Sequence, residues 1–371
     1  MLVARRVIDP PHGSPPSAER SAPRTRPDVR MPAVRRAYAV APAIAAAMLI
    51  LTLSAGGRYG IGLRDPDGII GGRLFILVGL ILGFWALDVV PRAVRDARAT
   101  SSPLLPRIEA IARERWSWRR VGVVLGSILA FYVTYLCYRN VKSYLPLARP
   151  ELFDSQLLQF ERSAFGQDPA TILHGLLGTG IAAHLLSTVY LLFLTFVPIS
   201  LGFALVWSTD TATGLWWVSA LSLNWVLGAL SYFLIPSVGP VYAAPEVFAA
   251  LPDTGASALQ RLLLEERQAF LRSPSGSGEL QSIAAFASLH VAIVFTGALM
   301  AQLLRVPRAM RIGMWVFFGL TVLATIYFGW HYVVDDVAGA VIGIVAVYLG
   351  ARLTGWRIER VSPPAYQLHG A

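Results

Sequence analysis

A histidine and two aspartates stand at the mouth of an otherwise apolar stretch, Tyr327-Phe-Gly-Trp-His-Tyr-Val-Val-Asp-Asp-Val-Ala-Gly339. Ionisable groups at the edge of a segment fit for hydrocarbon are costly to place and point to function. On a helix beginning near Trp330, His331 and Asp335 stand at i and i+4, about 40° apart around the axis and one turn apart along it, while Asp336 points away. Asp335 is then expected to accept a hydrogen bond from one imidazole nitrogen. That fixes the tautomer and leaves the lone pair of the other nitrogen for an electrophile. A second histidine closes the segment Phe286-Ala-Ser-Leu-His290 at the entry of another apolar run. Ser288 and His290 there fall near a helix N-terminus, where free N–H groups and the positive dipole end favour an anion.

Two imidazoles beside an anion site suit phosphoryl transfer. One attacks phosphorus, the other protonates the departing oxygen, and Ser288 with backbone amides holds the equatorial oxygens. Geometry assigns the attack to His331, which has a carboxylate at i+4, and the proton to His290. This chemistry calls for no metal and no cofactor. A metal set of His290, His331 and Asp335 is the competing chemistry, but neither histidine belongs to a tight pair such as His-x-x-x-His. The plainest alternative is that each histidine satisfies a carbonyl near the membrane interface. His174 and His184 lie on an amphipathic stretch and read as interfacial; His12 and His369 lie in polar tails.

The elements that position these groups must cross a membrane. Of 371 residues, 55% are hydrophobic and 15% charged, which excludes an ordinary soluble domain and indicates an all-α polytopic membrane protein. The formal charge of +10 does not indicate nucleic acid, because the arginines gather in the tails and in particular loops between apolar runs. The single cysteine, Cys137, lies inside an apolar run and reads as a small packing residue.

Residues 1–34 are rich in Pro, Arg and Ser and are expected to form a disordered basic tail. Eight spans follow: Ala37 to Ala55, Leu74 to Val90, Val121 to Cys137, Thr188 to Trp207, Leu215 to Ile235, Ile283 to Leu304, Met310 to Phe328, and His331 to Leu353. Eight arginines between Arg92 and Arg120 place that loop in the cytoplasm, and Arg305, Arg308 and Arg311 place the loop between spans six and seven there too. Both termini are then cytoplasmic. Two N-terminal helices and their basic loop (35–120) precede a six-helix catalytic domain (121–354), and residues 355–371 form a tail. The segment from Tyr138 to Ser187 should lie outside, partly as interfacial helices, and residues 236–282 should form an external lid. The exit of span five, Tyr232-Phe-Leu-Ile-Pro-Ser-Val-Gly-Pro240, the entry of span six and the last turn then share the external face.

At these residues the chain, over roughly Tyr138 to Leu353, resembles the type 2 phosphatidic acid phosphatase superfamily of membrane lipid phosphatases and phosphotransferases. Its pattern is Lys-x6-Arg-Pro, then Pro-Ser-Gly-His, then Ser-Arg-x5-His-x3-Asp. Ser288 and His290 match the second motif, and His331 with Asp335 the third. The resemblance implies a phosphoenzyme on His331 with His290 as acid, a lipid substrate within the membrane, and no nucleic-acid partner. Tyr232 and Gly239 stand where the first motif has Lys and Arg, Ala287 and Leu289 replace the Pro and Gly of the second, and Ala324-Thr325 replace Ser-Arg. Ser-Leu-His, the turn from Tyr232 to Pro240, and Tyr138-x3-Lys142 followed by Asp154 look like the inositol phosphorylceramide synthase branch, which moves a phosphoinositol head group between lipids. Lys142, the only lysine, is the first candidate for the missing positive charge, then Arg139, then Arg261, Arg267 and Arg272 of the lid. The lid arginines could equally be a solvated face paired with Glu265 and Glu266.

Overall fold

The computed structural model describes residues 2–6, 31–65, 74–207 and 211–360. A short strand β1 (Leu2–Arg6) is followed by helices α1 (Met31–Tyr59), α2 (Leu74–Thr100), α3 (Leu104–Arg115), α4 (Trp118–Ser143), α5 (Leu145–Ala148), α6 (Asp154–Phe165), α7 (Pro169–Leu177) and α8 (Ile181–Gly202). A π-helical turn, Phe203–Trp207, continues α8. Then come α9 (Thr211–Leu234), α10 (Pro240–Ala243), a 3-10 turn at Pro245–Phe248, α11 (Gly255–Arg272), α12 (Leu289–Leu303), α13 (Arg308–Tyr327), α14 (Val333–Thr354) and strand β2 (Trp356–Arg360). Among the described residues six helices are long and apolar enough to cross a membrane: α1, α4, α8 with its π-turn, α9, α13 and α14. The protein is an all-α multi-pass membrane protein.

Helix α9 is the axis of the bundle. Trp216, Val218, Ala220 and Leu221 point in different directions around it and are all fully buried, the pattern of a helix with no solvent face. Helices α1, α4, α12 and α14 pack around it. Two of its polar side chains are tied to neighbouring helices: Trp216 Nε1 donates to the Val347 carbonyl at 3.0 Å, and Asn224 Nδ2 to Thr296 Oγ1 at 3.0 Å. Helices α12 and α14 approach closely through Gly339-x3-Gly343. A Cβ on Gly339 would stand 2.3 Å from the Ser288 carbonyl oxygen, and one on Gly343 2.8 Å from that of Ala292. Small residues at this spacing let two backbones touch. This contact sets the first turn of α12, with Ser288 and His290, against the first turn of α14.

Several expected boundaries move. Span six was expected from Ile283, yet α12 starts at Leu289 and has 15 residues, roughly 22 Å of helix. Residues 281–288 are non-helical because their backbone is bonded elsewhere: Ala285 N to Ser237 O at 2.9 Å, Phe286 N to Ser237 Oγ at 3.1 Å, and Ala287 N to Ser231 Oγ at 2.9 Å. Irregular backbone at membrane depth is tolerated when it is bonded within protein. Helix α4 runs on to Ser143, so Lys142 sits in its last turn rather than in a loop. Helix α8 begins at Ile181, ahead of the expected Thr188. Within the segment from Tyr138 to Ser187 the chain forms the short helices α6 and α7, and α6 leaves Phe160 and Phe165 exposed.

The basic tail was expected to be disordered throughout. Its first residues instead form β1, which pairs antiparallel with β2, Leu2 opposite Arg360 and Arg6 opposite Trp356. This ribbon joins the two ends of the chain on one side of the bundle. Residues 7–30 and 361–371 lie outside the described residues.

Candidate active site

Three chain segments far apart in sequence are tied into one knot. The turn after α9 bonds to the segment before α12 through Ala285 N and Ser237 O, and to the turn before α14 through Val241 N and Gly329 O at 2.9 Å. The latter two segments meet through Ser288 N and Asp335 O at 3.0 Å. Gly239 needs to be glycine here: its φ is +97°, and a Cβ would stand 2.6 Å from the Trp330 carbonyl oxygen. The convergence of these segments, expected from topology, is present in the fold.

His331 differs from expectation in an instructive way. It lies outside α14, because Tyr332 is the N-cap and Asp335, at the third helical position, closes a capping box by accepting from Tyr332 N at 2.9 Å. The imidazole Nδ1 instead meets the Ala285 carbonyl at 2.9 Å, and Asp335 Oδ2 lies 3.6 Å from it. A carbonyl can only accept, so Nδ1 carries the proton and Nε2 keeps its lone pair. Sequence left open which nitrogen carries the proton and expected Asp335 to hold it; the geometry assigns the proton to Nδ1, and the group that holds it is a backbone carbonyl. Burial pushes the His331 pKa down to about 4, so the ring is neutral at pH 7.

His290 follows the N-cap of α12, its ring 6.0 Å from that of His331 between centroids. Tyr190 stacks on it at 4.5 Å and Phe193 packs at 4.2 Å, while Trp330 lies parallel to Tyr190 at 4.8 Å. These rings form an aromatic wall to the site. Ser288 is fully buried: its hydroxyl caps α12 through Val291 N, and its side chain stands beside Asp336. Asp336, set aside on sequence grounds as pointing away, therefore belongs to the cluster. It also accepts from Thr325 Oγ1 at 2.8 Å, and the Thr325 carbonyl in turn accepts from the amides of Trp330 and His331. Each aspartate keeps one buried oxygen, Oδ1, without a hydrogen-bond partner among the described residues.

Lys142 reaches the same region from α4. Its Nζ lies 4.8 Å from the Tyr232 ring and 5.8 Å from that of Tyr138, and the two phenols share a hydrogen bond of 3.1 Å. Tyr232 is thus the platform under the lysine, standing where the superfamily pattern has a cation. Pro240 opens α10 and, with Glu161, Phe248, Ile326 and His331, lines a small cleft.

Two acidic residues of α6 brace the knot. Asp154 is buried and accepts from Val238 N, Gly239 N at 2.9 Å and Tyr332 Oη at 2.9 Å. Glu161 accepts from Val333 N, the first amide of α14. Burial raises both carboxyl pKa values, that of Glu161 to about 7. His174, by contrast, bonds the Tyr327 carbonyl at 2.8 Å and is structural. Among the described residues no group of three or more His, Cys, Asp or Glu is arranged to hold a metal ion. The Ala285 carbonyl was invisible to sequence reasoning because any residue supplies one. Gln281 and Asp336 carried a usable signal, being polar side chains at the edges of apolar runs.

A buried, oriented histidine thus faces a second histidine across this cluster. The PAP2 superfamily matches the chain over residues 155–349, more than half its length, and the chain belongs to that superfamily. No curated protein and no solved structure matches the chain.

Proposed function

We propose that this protein is a membrane-embedded lipid phosphotransferase or phosphatase that works through a phosphohistidine at His331. The observation that carries the reading is the Nδ1 hydrogen bond to Ala285, which leaves Nε2 as a nucleophile beside His290. In the first step Nε2 attacks phosphorus, the bond to the leaving oxygen breaks, and His290, entering the step as the imidazolium once the anionic phosphate is bound, delivers a proton to that oxygen. Asp335 and Asp336 offset the charge that develops on the imidazole ring. In the second step an acceptor hydroxyl attacks, His290 takes its proton, and the P–N bond breaks. Lys142 faces the phosphate, while the phenols below it keep the ammonium in place.

Within this class we favour transfer to a lipid alcohol, with a phosphoinositol-type head group as donor chemistry. Ser288-Leu289-His290, the turn from Tyr232 to Pro240, and Asp154 bracing that turn support this choice. The test is to incubate the purified protein with a panel of phospholipids, with and without lipid alcohols, and to identify the products. Head-group transfer is the expected outcome. Inorganic phosphate released without an alcohol indicates hydrolysis of phosphatidate or a polyprenyl phosphate instead. Function undiminished in His331→Ala indicates a non-catalytic transporter or scaffold on this fold.

The site is proposed to face the outside of the cell membrane with both termini in the cytoplasm. The arginines at 92–120 and 305–311 support this, as does the ribbon that joins the chain ends. In a Cys137→Ser background, Ser155→Cys should react with an impermeant thiol reagent on intact cells and Arg308→Cys only after lysis. The reverse pattern contradicts the orientation.

A further inference from the structure

Residues ahead of the superfamily match help to support the site. Arg64, just past the end of α1, spreads its guanidinium over three carbonyls of the stretch that leads from the lid helix α11 to α12: Nη1 donates to Glu279 O at 2.6 Å, and Nη2 to Pro274 O at 2.7 Å and Ser275 O at 2.9 Å. The backbone of Arg64 is in turn held by Asn140, a fully buried residue of α4, whose Oδ1 accepts from Arg64 N at 2.9 Å and whose Nδ2 donates to Arg64 O at 2.8 Å. A small apolar seat completes the grip. Phe270 of α11 is fully buried in a cluster with Ile61 and Tyr144, with Tyr59 and Leu147 packed against it.

The last turn of α4 supplies a second grip. Gln281 is fully buried: its Nε2 donates to the Lys142 carbonyl at 2.8 Å, its N to Ser143 Oγ at 3.2 Å, and its Oε1 accepts from Arg267 Nη1 and from Ile283 N, both at 3.0 Å. From there the chain is held on to the site. Ser237 fixes Ala285 N and Phe286 N, and the Ala285 carbonyl meets His331 Nδ1. A backbone carbonyl has no side chain by which to be placed, so in an irregular segment its position follows from the bonds its neighbours make. Bonds from a charged donor are the firmer kind, and one guanidinium makes three of them here.

We propose that Arg64 is a positioning residue for His331: with Gln281 it latches the segment between the lid and α12 onto the last turn of α4, and so fixes the Ala285 carbonyl that keeps the Nδ1 proton. The effect on rate rests on the phosphoryl-transfer reading above, since the tautomer matters only if Nε2 reacts. When the latch is released the segment shifts and the ring loses its fixed acceptor. A share of the molecules then carries the proton on Nε2, where it blocks attack. The latch gives α1 and the turn after it a part in the reaction, although the superfamily match begins only at residue 155.

The test uses the purified full-length protein in detergent, with isotopically labelled histidine nitrogens read by NMR and the His331 signals assigned by their loss in His331→Ala. Wild type should show a ring protonated at Nδ1. Arg64→Ala should move those signals toward a mixture of both tautomers and slow phosphoenzyme formation about 10- to 100-fold per folded molecule, with KM nearly unchanged, the range for a small misplacement set up away from the chemistry. Arg64→Lys, which keeps a donor and a charge, should recover part of the loss. Gln281→Leu should act in the same direction from the other grip, so the result does not hang on one variant's folding, and Arg113→Gln, exposed on α3, should match wild type. A wild-type tautomer and a wild-type rate in both Arg64→Ala and Gln281→Leu overturn the proposal, even if the melting temperature falls. The phosphoryl-transfer reading fails separately: a tautomer shift in Arg64→Ala with no phosphoenzyme in wild type keeps the latch and loses the reading, whereas a phosphoenzyme in wild type with an unmoved tautomer in both variants does the opposite.

Discussion

Two clusters of buried carboxylate stand in this molecule, and they are built oppositely. Asp88 of α2 is saturated: Arg115 holds both its oxygens at 2.9 Å, Arg92 adds a contact at 3.3 Å, and Trp116 Nε1 donates at 3.2 Å. Asp335 and Asp336 of α14 are also buried, yet among the described residues neither is paired with an arginine or lysine, the neutral His331 ring lies beside Asp335, and each keeps one oxygen unbonded. A saturated cluster has no capacity left for a reacting group and serves to hold α2 to α3. An unsaturated one can change its partners as charge moves, which a catalytic site requires and a structural one avoids.

The sharpest way to break this contrast is to remove the groups and compare turnover per folded molecule. His331→Ala should abolish turnover. His290→Ala should slow the first step by about 10²- to 10⁴-fold, and less for a substrate whose leaving group needs no proton. Asp335→Asn should also lose a large factor, on the order of 10²-fold or more, with the melting temperature nearly kept, since an amide oxygen can still cap Tyr332. Equal losses of stability in these variants would make the cluster at α14 structural after all.

Asp88→Asn should do the reverse. It strips the partly buried Arg115 of its counter-charge, at a cost of about 1 to 3 kcal/mol, and should leave turnover per folded molecule unchanged. Chelation is a milder test of the same contrast: activity should survive EDTA, and a loss restored by one divalent ion moves the assignment to a metal site at His290, His331 and Asp335.

The smallest effects concern pH and stability. The folded-state pKa of His331 is depressed to about 4 from an ordinary 6.5, so the unfolded chain binds more protons between those values and stability falls as pH drops through that window. Glu161 has its pKa raised to about 7 from 4.5, so the folded state binds more protons and stability falls as pH rises from 4.5 to 7. His331→Asn should flatten the acid limb of a melting-temperature profile and Glu161→Gln the alkaline limb. Parallel profiles for both variants and wild type would remove the two groups from the account.

The bundle was largely legible in the sequence because hydrocarbon imposes long apolar runs, and the arginines mark the loops between them. The two histidines were legible because ionisable side chains at the mouths of two apolar runs are costly to place. Less visible were the places where backbone replaces side chain. The non-helical entry to α12 carries the same apolar residues a helix would, and only its bonds to Ser231 and Ser237 reveal why it is extended. His331 was placed on a helix that starts two residues later, since a Tyr N-cap with Asp at the third position is an uncommon capping signal. Arg267 could not be told from Arg261 by spacing alone; the fold distinguishes them by turning one toward Gln281 and the other toward Asp253.

The central claim is that His331 becomes phosphorylated, and the direct measurement is to quench the protein during turnover of a lipid substrate carrying radiolabelled phosphate. The account predicts a protein-bound label that survives alkali, is lost in acid, maps to His331, and accumulates in His290→Ala given an activated leaving group. Label retained in His331→Ala, or a wild type that turns over with no acid-labile label, contradicts it.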